Sequence, residues 1–346
     1  MKSLLISGRC PYNNHQENSL QEAGVDARIY ENWGIHLPEH LDAILDEQPD
    51  IVHLQWPESV CRHQEIAPEE ILNAFPDVLG RLRTAGIKLF WTMHNLLPHD
   101  RAKADFWRRF YQLFADHCDV CCHHSEWGKS VALDAYVYPR AQHVVLRHGY
   151  FHQDVFPAVE KSKARQELGL PSDARIFLNV GSLRPDKQVA EIIDVFEGRQ
   201  DVLLLAGSAN SDYAKQQIAR AESLSNVVIH PGFIDDQQVS LMANAADCFL
   251  FMQGDHHLTS GAPHLSQAYL LPQITLDFPY AREVLGEGAV YIESSERRFE
   301  RLASTLDALD TSQLNHVVQS VKSSRRLWHW SVIAEETRAA YLQALR

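Results

Sequence analysis

The sequence has 346 residues, of which 45% are hydrophobic and 22% are charged, as in an ordinary globular protein. At about 150 residues per domain, this length predicts two domains. The formal net charge of −13 argues against broad non-specific binding of nucleic acid, which requires a basic surface. No apolar run approaches the ~20 residues that span a bilayer. The apolar run Leu4–Ile6 is too short for a signal peptide, so the sequence predicts a cytoplasmic protein.

Short apolar runs alternate with longer segments of helical character along the whole chain. Most of the runs are apolar throughout, which is typical of strands buried on both faces of a parallel sheet. The alternation predicts two doubly wound α/β domains with about six strands each. The predicted strands are Leu4–Ser7, Ala27–Tyr30, Ile51–Leu54, Ile87–Met93, Val120–His123, Val144–Leu146, Ile176–Val180, Val202–Ala206, Val227–His230, Cys248–Met252, Ile274–Leu276 and Val290–Ile292.

The domain boundary is predicted near Pro157, where a proline and a charged stretch precede a new series of strands. The first domain is assigned to residues 1–156 and the second to residues 157–329. The last segment, 330–346, has the apolar stripe of an amphipathic helix. Ligands of doubly wound sheets bind beyond the carboxyl ends of the strands, so two such domains predict a cleft between them.

One loop of the second domain combines a glycine with two cations. Gly181 follows a predicted strand, and Arg184 and Lys187 precede a predicted helix over Val189–Phe196. Glycine permits a sharp turn, a helix N-terminus attracts anions, and two cations can straddle a diphosphate. A solvated turn with unrelated charges is the alternative explanation.

A second loop of the same domain also favours an anion. Thr259, Ser260 and Gly261 follow the strand Cys248–Met252 and precede a predicted helix over Ala262–Tyr269. Backbone N–H groups at such a helix start can bind an anion, although serine and threonine are also ordinary helix caps. Two loops of this kind in one domain indicate a phosphorylated ligand. The sequence has neither a P-loop nor a G-x-G-x-x-G motif.

Two loops of the first domain carry titratable groups after predicted strands. Glu58 follows Trp56, and Asp100 follows His94. A carboxylate at such a position can act as a general base, or it can simply cap a helix. Several of the 19 histidines are also predicted on loops beside the cleft: His53, His94, His99, His148, His256 and His257.

Cysteine and histidine cluster in the segment 117–124, which invites a zinc interpretation. A structural zinc site needs four converging ligands, usually from two separated pairs. The remaining cysteines are isolated, so the cluster is predicted to pack as small apolar side chains, with no metal site.

A helix predicted from residue 101 onward places basic and aromatic side chains on one outer face. The residues are Arg101, Lys103, Trp107 and Arg108. Such a face can dock on an anionic membrane, and an ordinary solvated helix face is the alternative.

These motifs, in this order, resemble those of GT-B glycosyltransferases over nearly the whole chain. The second half is similar to the donor-binding domain of the nucleotide-sugar transferase superfamily. A narrower resemblance is to the β-mannosyltransferase family of xanthan-type exopolysaccharide assembly. The segments that carry it are Gln55-Trp56-Pro57-Glu58, 94–100, His148-Gly149-Tyr150, 183–188 and Thr259-Ser260-Gly261.

The resemblance implies two Rossmann-like domains that face across a cleft, with the terminal helix 330–346 returning to the first. It also implies transfer of mannose from GDP-mannose, with inversion, to a saccharide acceptor that is lipid-linked in that family. The family's activity needs no cofactor, and we expect no metal. By this resemblance the diphosphate is bound by Arg184, Lys187, Thr259, Ser260 and Gly261, and the nucleotide and sugar by Gly181, Gly232, Phe233, Ile234, His148, His256 and His257. The acceptor side holds Tyr12, Asn13 and Trp56, with Glu58 as the first choice of base, Asp100 as the second, and His94 beside the sugar.

The sequence departs from the wider superfamily at one motif. Retaining members carry two glutamates separated by seven residues around the donor loop, where this chain has His257 and Leu265. The difference agrees with an inverting enzyme and leaves the donor open. Two alternatives therefore remain: a catalytically silent GT-B protein that binds nucleotide or glycan, and an epimerase or hydrolase of the same fold. In each case we expect a cytoplasmic protein, with peripheral contact to the inner face of the membrane if the acceptor is lipid-linked.

Overall fold

A computed structural model describes residues 1–31, 38–61, 67–98, 103–150, 158–253 and 258–346. The chain divides into two compact units, Met1–Gly149 with Leu327–Arg346, and Tyr150–Arg326. Each unit contains one six-stranded sheet, and every pair of neighbouring strands in both sheets is parallel. The predicted fold class, two doubly wound α/β units, is confirmed, and each predicted strand overlaps an observed one.

The sheet of the first unit has the strand order β2-β1-β3-β4-β5-β6. Its strands are β1 Lys2–Ile6, β2 Asp26–Tyr30, β3 Ile51–Leu54, β4 Lys88–Thr92, β5 Val120–His123 and β6 Gln142–Val145. Its helices are α1 Pro11–Glu22, α2 Pro38–Asp46, α3 Pro68–Thr84, α4 Ala104–His117, α5 Glu126–Ala135 and, from the end of the chain, α14 Trp330–Ala344.

The sheet of the second unit has the strand order β12-β11-β10-β7-β8-β9. Its strands are β7 Ile176–Val180, β8 Val202–Gly207, β9 Val227–Pro231, β10 Cys248–Phe251, β11 Gln273–Asp277 and β12 Val290–Glu293. Its helices are α6 Lys161–Glu167, α7 Val189–Phe196, α8 Asp212–Glu222, α9 Asp236–Ala245, α10 Ala262–Tyr269, α11 Pro279–Leu285, α12 Arg298–Ala308 and α13 Thr311–Ser324. Among the described helices of both units, none combines the length and apolar character that a membrane span requires.

Each sheet has one point where the chain reverses the direction in which it adds strands. In the first sheet this switch point lies between β1 and β3, and in the second it lies between β7 and β10. The loops after the two strands at a switch point run to opposite faces of the sheet and leave a crevice at its carboxyl edge. The fold therefore identifies the loops after these four strands as the first places to look for a ligand.

The terminal helix α14 is part of the first unit, as predicted. Ala334 and Tyr341 of α14 pack into the core cluster that contains Leu5 and Phe90. The buried Tyr341 hydroxyl lies 2.6 Å from Nδ1 of His53 and 3.3 Å from Oγ of Ser3. The helix is thus attached to the sheet by both apolar packing and buried hydrogen bonds.

The prediction that His53 lies on a loop is wrong. His53 belongs to β3 and is fully buried, with Nε2 at 2.7 Å from Oγ1 of Thr92 in β4. Burial lowers the pKa of His53 to about 3, so its ring is neutral. The hydrogen bonds to Tyr341 and Thr92 explain how a polar ring fits between apolar strands.

The predicted basic and aromatic face of α4 is only partly formed. Lys103 and Arg108 are exposed, but Trp107 is half-buried, with its ring 4.7 Å from that of Phe106 and 6.0 Å from that of Phe110. Arg101 lies outside the described residues. The indole therefore packs on its own helix, and docking of this face on a membrane stays a prediction.

Two glycines allow the backbone to approach a neighbour closely. A Cβ atom on Gly149 would lie 2.3 Å from the indole of Trp330, the first residue of α14. A Cβ atom on Gly207, at the end of β8, would lie 1.7 Å from the carbonyl oxygen of Gly181, which follows β7. Each close approach lies at the carboxyl edge of its sheet.

We predict that Gly149→Ala destabilises the protein by about 1–3 kcal/mol, because the added methyl group overlaps the Trp330 indole. Gly80→Ala is the matched control, since Gly80 lies inside α3 with no heavy atom within 4 Å of the new Cβ. Alanine favours a helix by about 0.5–1 kcal/mol over glycine, so the control should gain stability. Denaturant unfolding of both variants measures the difference, and equal effects would contradict the close approach.

We also predict that Gly207→Ala lowers stability more than Gly232→Ala. Both glycines have positive φ, +153° and +126°, so both substitutions strain the backbone. Only the Cβ at position 207 meets another chain segment, whereas the space around position 232 is open. The excess loss at position 207, about 1–3 kcal/mol, measures the contact between the ends of β7 and β8. Equal melting temperatures for the two variants would refute it.

Candidate functional site

The carboxyl edge of the first sheet gathers six rings, which we call the aromatic cluster. Tyr12 follows β1, Trp56 follows β3, His94 follows β4 and His124 follows β5. His148 follows β6, and Trp330 begins α14. The predicted residues Tyr12, Trp56, His94 and His148 are therefore brought together by the parallel sheet, although they are far apart in sequence.

Tyr12 is the centre of this aromatic cluster. Its ring centroid lies 5.0 Å from that of His94, 5.6 Å from that of His124, 4.9 Å from that of His148 and 5.1 Å from that of Trp330. Trp56 stacks on His94 with the centroids 4.0 Å apart and the planes inclined by 16°. Five of the six rings are buried, and Trp56 is the half-buried ring through which the cluster can meet a ligand.

A chain of amides fixes the protonation of His94. Gln55 donates from Nε2 to Oε1 of Gln16 at 2.9 Å, so its own Oε1 is left to accept from Nε2–H of His94 at 3.0 Å. Burial, with smaller effects of His124 and His53, holds the pKa of His94 well below its ordinary value. His94 is therefore neutral, with the lone pair on Nδ1.

Three buried polar atoms of this edge have no hydrogen-bond partner within the described residues. They are Nε2 of His124, Oδ1 of Asn13 and Nε1 of Trp330. His124 donates from Nδ1 to the carbonyl oxygen of Leu146 at 2.8 Å, so its Nε2 is an acceptor. Burial lowers the pKa of His124 to about 4. Two acceptors and one N–H donor around a flat aromatic surface match the hydroxyl groups of a saccharide.

Glu58, a predicted base, contacts Tyr111, which lies outside the aromatic cluster. It lies in a 3-10 turn over Pro57–Cys61, is 3% exposed and accepts a hydrogen bond of 2.6 Å from the Tyr111 hydroxyl. Tyr111 belongs to α4 and packs on Trp91 of β4. The other predicted base, Asp100, lies outside the described residues. A catalytic role for either stays a prediction.

The edge of the second sheet has a different chemical character. After β7, Gly181 has a φ of +146° and the Ser182 hydroxyl lies 2.9 Å from that of Ser208. The loop then forms a 3-10 turn over Pro185–Lys187, followed by left-handed Gln188, before α7 begins. The predicted cations therefore lie on this tight turn and not on the first turn of the α-helix.

The two predicted cations of this turn are in different states. Arg184 forms a two-pronged ion pair with Asp186, with N–O distances of 3.0 and 2.9 Å. Lys187 is half-buried and makes no ion pair within the described part of the chain. Burial, followed by the charge of Arg184, lowers the pKa of Lys187 to about 8. A desolvated ammonium beside a guanidinium is a site prepared for an anion.

The loop after β10 is organised by one phenol. The Tyr280 hydroxyl lies 3.0 Å from Oγ1 of Thr259, 3.3 Å from the carbonyl oxygen of Ser260 and 3.2 Å from Nε2 of His264. Burial raises the pKa of Tyr280 to about 12. Gly261 immediately precedes α10, as predicted. His256 and His257 lie outside the described residues, so their predicted roles are not tested.

The predicted nucleotide-binding segment follows β9. The N–H of Gly232 donates to the carbonyl oxygen of Gly207 at 2.9 Å, which places this segment beside the glycine-rich ends of β7 and β8. The side chain of Phe233 is 88% exposed, and Ile234 packs partly on the core. An exposed aromatic ring at this edge is available to stack on a flat base.

The sequence did not indicate that His124 and Trp330 belong to the aromatic cluster. Their positions in the sequence were informative, because His124 directly follows a predicted strand and Trp330 begins the predicted terminal helix. Recognising them requires the order of the strands and the position of α14, which come from the structure.

Comparison with known proteins agrees with this architecture. Residues 160–311 match the family model of glycosyl transferases group 1. Among solved structures, the chain is similar to sucrose-phosphate synthase from Thermosynechococcus elongatus (TM-score 0.75, 15% identity, 99% of this chain and 98% of that one). It is also similar to HepE from Anabaena in complex with UDP and glucose (TM-score 0.72, 13% identity, 99% and 100%).

A third similar structure is the catalytic domain of starch synthase IV from Arabidopsis thaliana bound to ADP and acarbose (TM-score 0.71, 10% identity, 99% of each chain). No curated protein sequence matches the chain. The similar structures share the fold over their whole lengths, and the family match lies within the second unit. Residues 160–311 of the second unit therefore match the group 1 glycosyl transferase family, and the whole chain has the two-domain GT-B fold of these structures.

Proposed function

We propose that the enzyme transfers a hexose from a nucleotide diphosphate sugar to a saccharide acceptor, with inversion at the anomeric carbon. In this proposal the second unit binds the donor at the edge formed by β7 and β10, and the first unit binds the acceptor at the aromatic cluster. The donor that we favour is GDP-mannose and the acceptor is lipid-linked, as in the exopolysaccharide β-mannosyltransferases that the sequence resembles. Among the similar structures, HepE contains UDP or UDP-glucose and starch synthase IV contains ADP.

The observation that carries this proposal is the state of Lys187. A half-buried ammonium without an ion-pair partner among the described residues loses hydration, and its lowered pKa reflects that loss. A diphosphate would restore the missing interaction. Because the turn lies at the switch point of the sheet, where doubly wound folds bind nucleotides, the ligand that best fits is a nucleotide diphosphate.

The same charges would assist the chemistry. When the bond between the sugar and the diphosphate breaks, negative charge grows on the leaving phosphate oxygen. Arg184, Lys187 and the N–H groups that precede α10 are positioned on two adjacent loops of this edge. Cations and N–H groups fixed in advance stabilise that charge without reorganisation during the reaction.

The aromatic cluster supports binding of the acceptor. Trp56 provides a ring on which the C–H faces of a sugar can pack, while His124 and Asn13 provide acceptors for its hydroxyl groups. His94 is held neutral, so it does not compete for a cation and can accept a hydrogen bond at Nδ1.

For the base, we propose Asp100 in preference to Glu58. Both are carboxylates that follow strands of the first sheet, but Glu58 is almost fully buried and its carboxylate accepts the Tyr111 hydroxyl. We therefore assign Glu58 a positioning role, in which it ties the turn after Trp56 to α4. Asp100 follows His94 on the neighbouring loop in the sequence.

A thermal-shift panel of GDP, UDP, ADP, dTDP and their sugars identifies the donor, because a ligand that binds only the folded state raises the melting temperature. GDP and GDP-mannose should give the largest shifts. Release of the nucleoside diphosphate in the presence of saccharide acceptors then tests transfer. Binding without release across the panel would favour a silent binding protein, and donor consumption without acceptor would favour an epimerase or hydrolase.

We predict that Lys187→Met raises the Kd of the preferred nucleoside diphosphate by about 10- to 100-fold, corresponding to the loss of a charged hydrogen bond worth ~1.5–3 kcal/mol. Lys215→Met is the matched control in the same unit, since Lys215 is exposed and pairs with Asp212 at 2.9 Å on its own helix. Titration calorimetry measures both variants. An unchanged Kd for Lys187→Met would exclude the assignment of this turn.

The pH dependence of this affinity shows whether Lys187 binds the diphosphate through its charge or only through packing of its side chain. The pKa of Lys187 is about 8 in the free protein, and a bound diphosphate favours the protonated ammonium. Affinity of the wild-type protein should therefore fall as pH rises from 7 to about 9, whereas that of Lys187→Met should stay nearly flat. A fall of equal size in both proteins would assign the effect to another group.

We predict that Asp100→Asn lowers kcat by at least about 100-fold without changing nucleotide affinity, since a general base contributes 10²- to 10⁴-fold. Glu58→Gln should instead lower the melting temperature, because it weakens the buried hydrogen bond from Tyr111, while kcat of the folded fraction changes less than about tenfold. Steady-state rates corrected for folded protein measure both. The reverse pattern would make Glu58 the base.

A further inference from the structure

A cluster of metal-ligating side chains lies on the first sheet, apart from the aromatic cluster. Cys121 and His123 alternate along β5, and His143 lies on β6 in register with Cys121. Their neighbours Cys122 and Val144 pack into the core on one face of the sheet. Because side chains alternate along a strand, Cys121, His123 and His143 share the opposite face.

The ligand atoms of these three residues converge. The Cys121 sulfur and one ring nitrogen from each histidine all lie within 4.8 Å of one another. Nε2 of His123 is 3.0 Å from Nδ1 of His143. Two nitrogens bound to one tetrahedral zinc ion at 2.0–2.1 Å lie about 3.3 Å apart, so the two rings need only a small outward shift to bind the same ion.

We propose that Cys121, His123 and His143 bind a Zn²⁺ ion, in a role separate from sugar transfer. One thiolate and two imidazoles form a ligand set that zinc prefers over magnesium or calcium, which favour oxygen. The Cys118 thiol contacts that of Cys121 but does not belong to the group of converging ligand atoms, so we assign three protein ligands. The ion would attach the edge strand β6 to β5 beyond their backbone hydrogen bonds.

Binding requires that one proton leave the protein. The Cys121 thiol loses its proton to solvent as sulfur coordinates the metal. The hydrogen bond between the two imidazoles shows that one of the facing nitrogens carries a proton, and this proton moves to the outer nitrogen of the same ring by tautomerisation. The bound site then carries one net positive charge. The nearby ammonium of Lys129 is compensated by Glu126, at 3.4 Å.

The structure also offers a route for the ion. His143 is only partly buried, and β6 is the last strand of the sheet, with β5 as its one neighbour. The sequence predicts no metal here, because the cysteines outside the segment 117–124 are isolated from one another. The third ligand comes from β6, and only the register of β5 with β6 brings it to Cys121.

Cobalt titration of the metal-free protein tests the proposal. The full chain, treated with EDTA and reducing agent and then desalted, is titrated with Co²⁺, whose complexes with thiolate show a charge-transfer absorption. We expect one ion per chain, a thiolate band that saturates at this ratio, and displacement of Co²⁺ by one equivalent of Zn²⁺. Absence of the thiolate band, or binding with no defined stoichiometry, overturns the proposal.

Variants locate the ion. His143→Gln and Cys121→Ser should each weaken Zn²⁺ binding by at least about 100-fold, since loss of even an outer-shell partner costs 10- to 100-fold. Cys122→Ser is the matched control, because Cys122 is equally buried on the same strand but faces the core. Circular dichroism checks folding. If Cys121→Ser does not fold, His143→Gln decides the question, because His143 is only partly buried. Wild-type affinity of His143→Gln for Zn²⁺ would refute the site.

Discussion

Parallel pairing of every strand in both sheets is the constraint on which the rest of this protein depends. Parallel strands leave all their carboxyl ends at one edge, so the loops that follow them meet in space whatever their separation in sequence. This is how Tyr12, Trp56 and His94 come into contact with His124 and Trp330. Most strand positions are buried and apolar, with His53 in β3 and the proposed zinc ligands of β5 and β6 as exceptions.

The two edges built in this way differ in electrostatics. The first carries aromatic rings and two imidazoles that burial keeps neutral, since the pKa of His124 falls to about 4 and that of His94 is also strongly lowered. The second carries Arg184 and Lys187 on a tight turn beside glycine-rich strand ends. A neutral aromatic surface suits a sugar and a cationic turn suits a diphosphate. In the proposed transfer reaction, one strand topology would therefore bind both substrates, and the chemistry of the loops would distinguish the two edges.

The sequence alone predicts the strands and the class of fold well, because a strand buried on both faces must be apolar throughout. It predicts α7 and α10 with their observed bounds. It fails where a side chain's environment depends on a distant segment. His53 is polar, yet it lies within β3 because Tyr341, from the end of the chain, supplies its hydrogen bond. His143 approaches Cys121 only through the register of two strands. No local pattern records such pairings.

The net charge of −13 makes the two cations of the turn after β7, Arg184 and Lys187, unusual in this protein. In an acidic protein most cations are paired, as Arg184 is with Asp186. A lysine that stays half-buried without an ion pair in the described ranges is unfavourable for the free protein, because desolvation opposes its charge. A bound anion would remove this unfavourable desolvation, because it would pair with the Lys187 ammonium. Arg184 also lowers the pKa of Lys187, but Arg184 is itself paired with Asp186. Lys187 is therefore the cation of this turn that no described residue pairs with, and an incoming diphosphate would gain most from it.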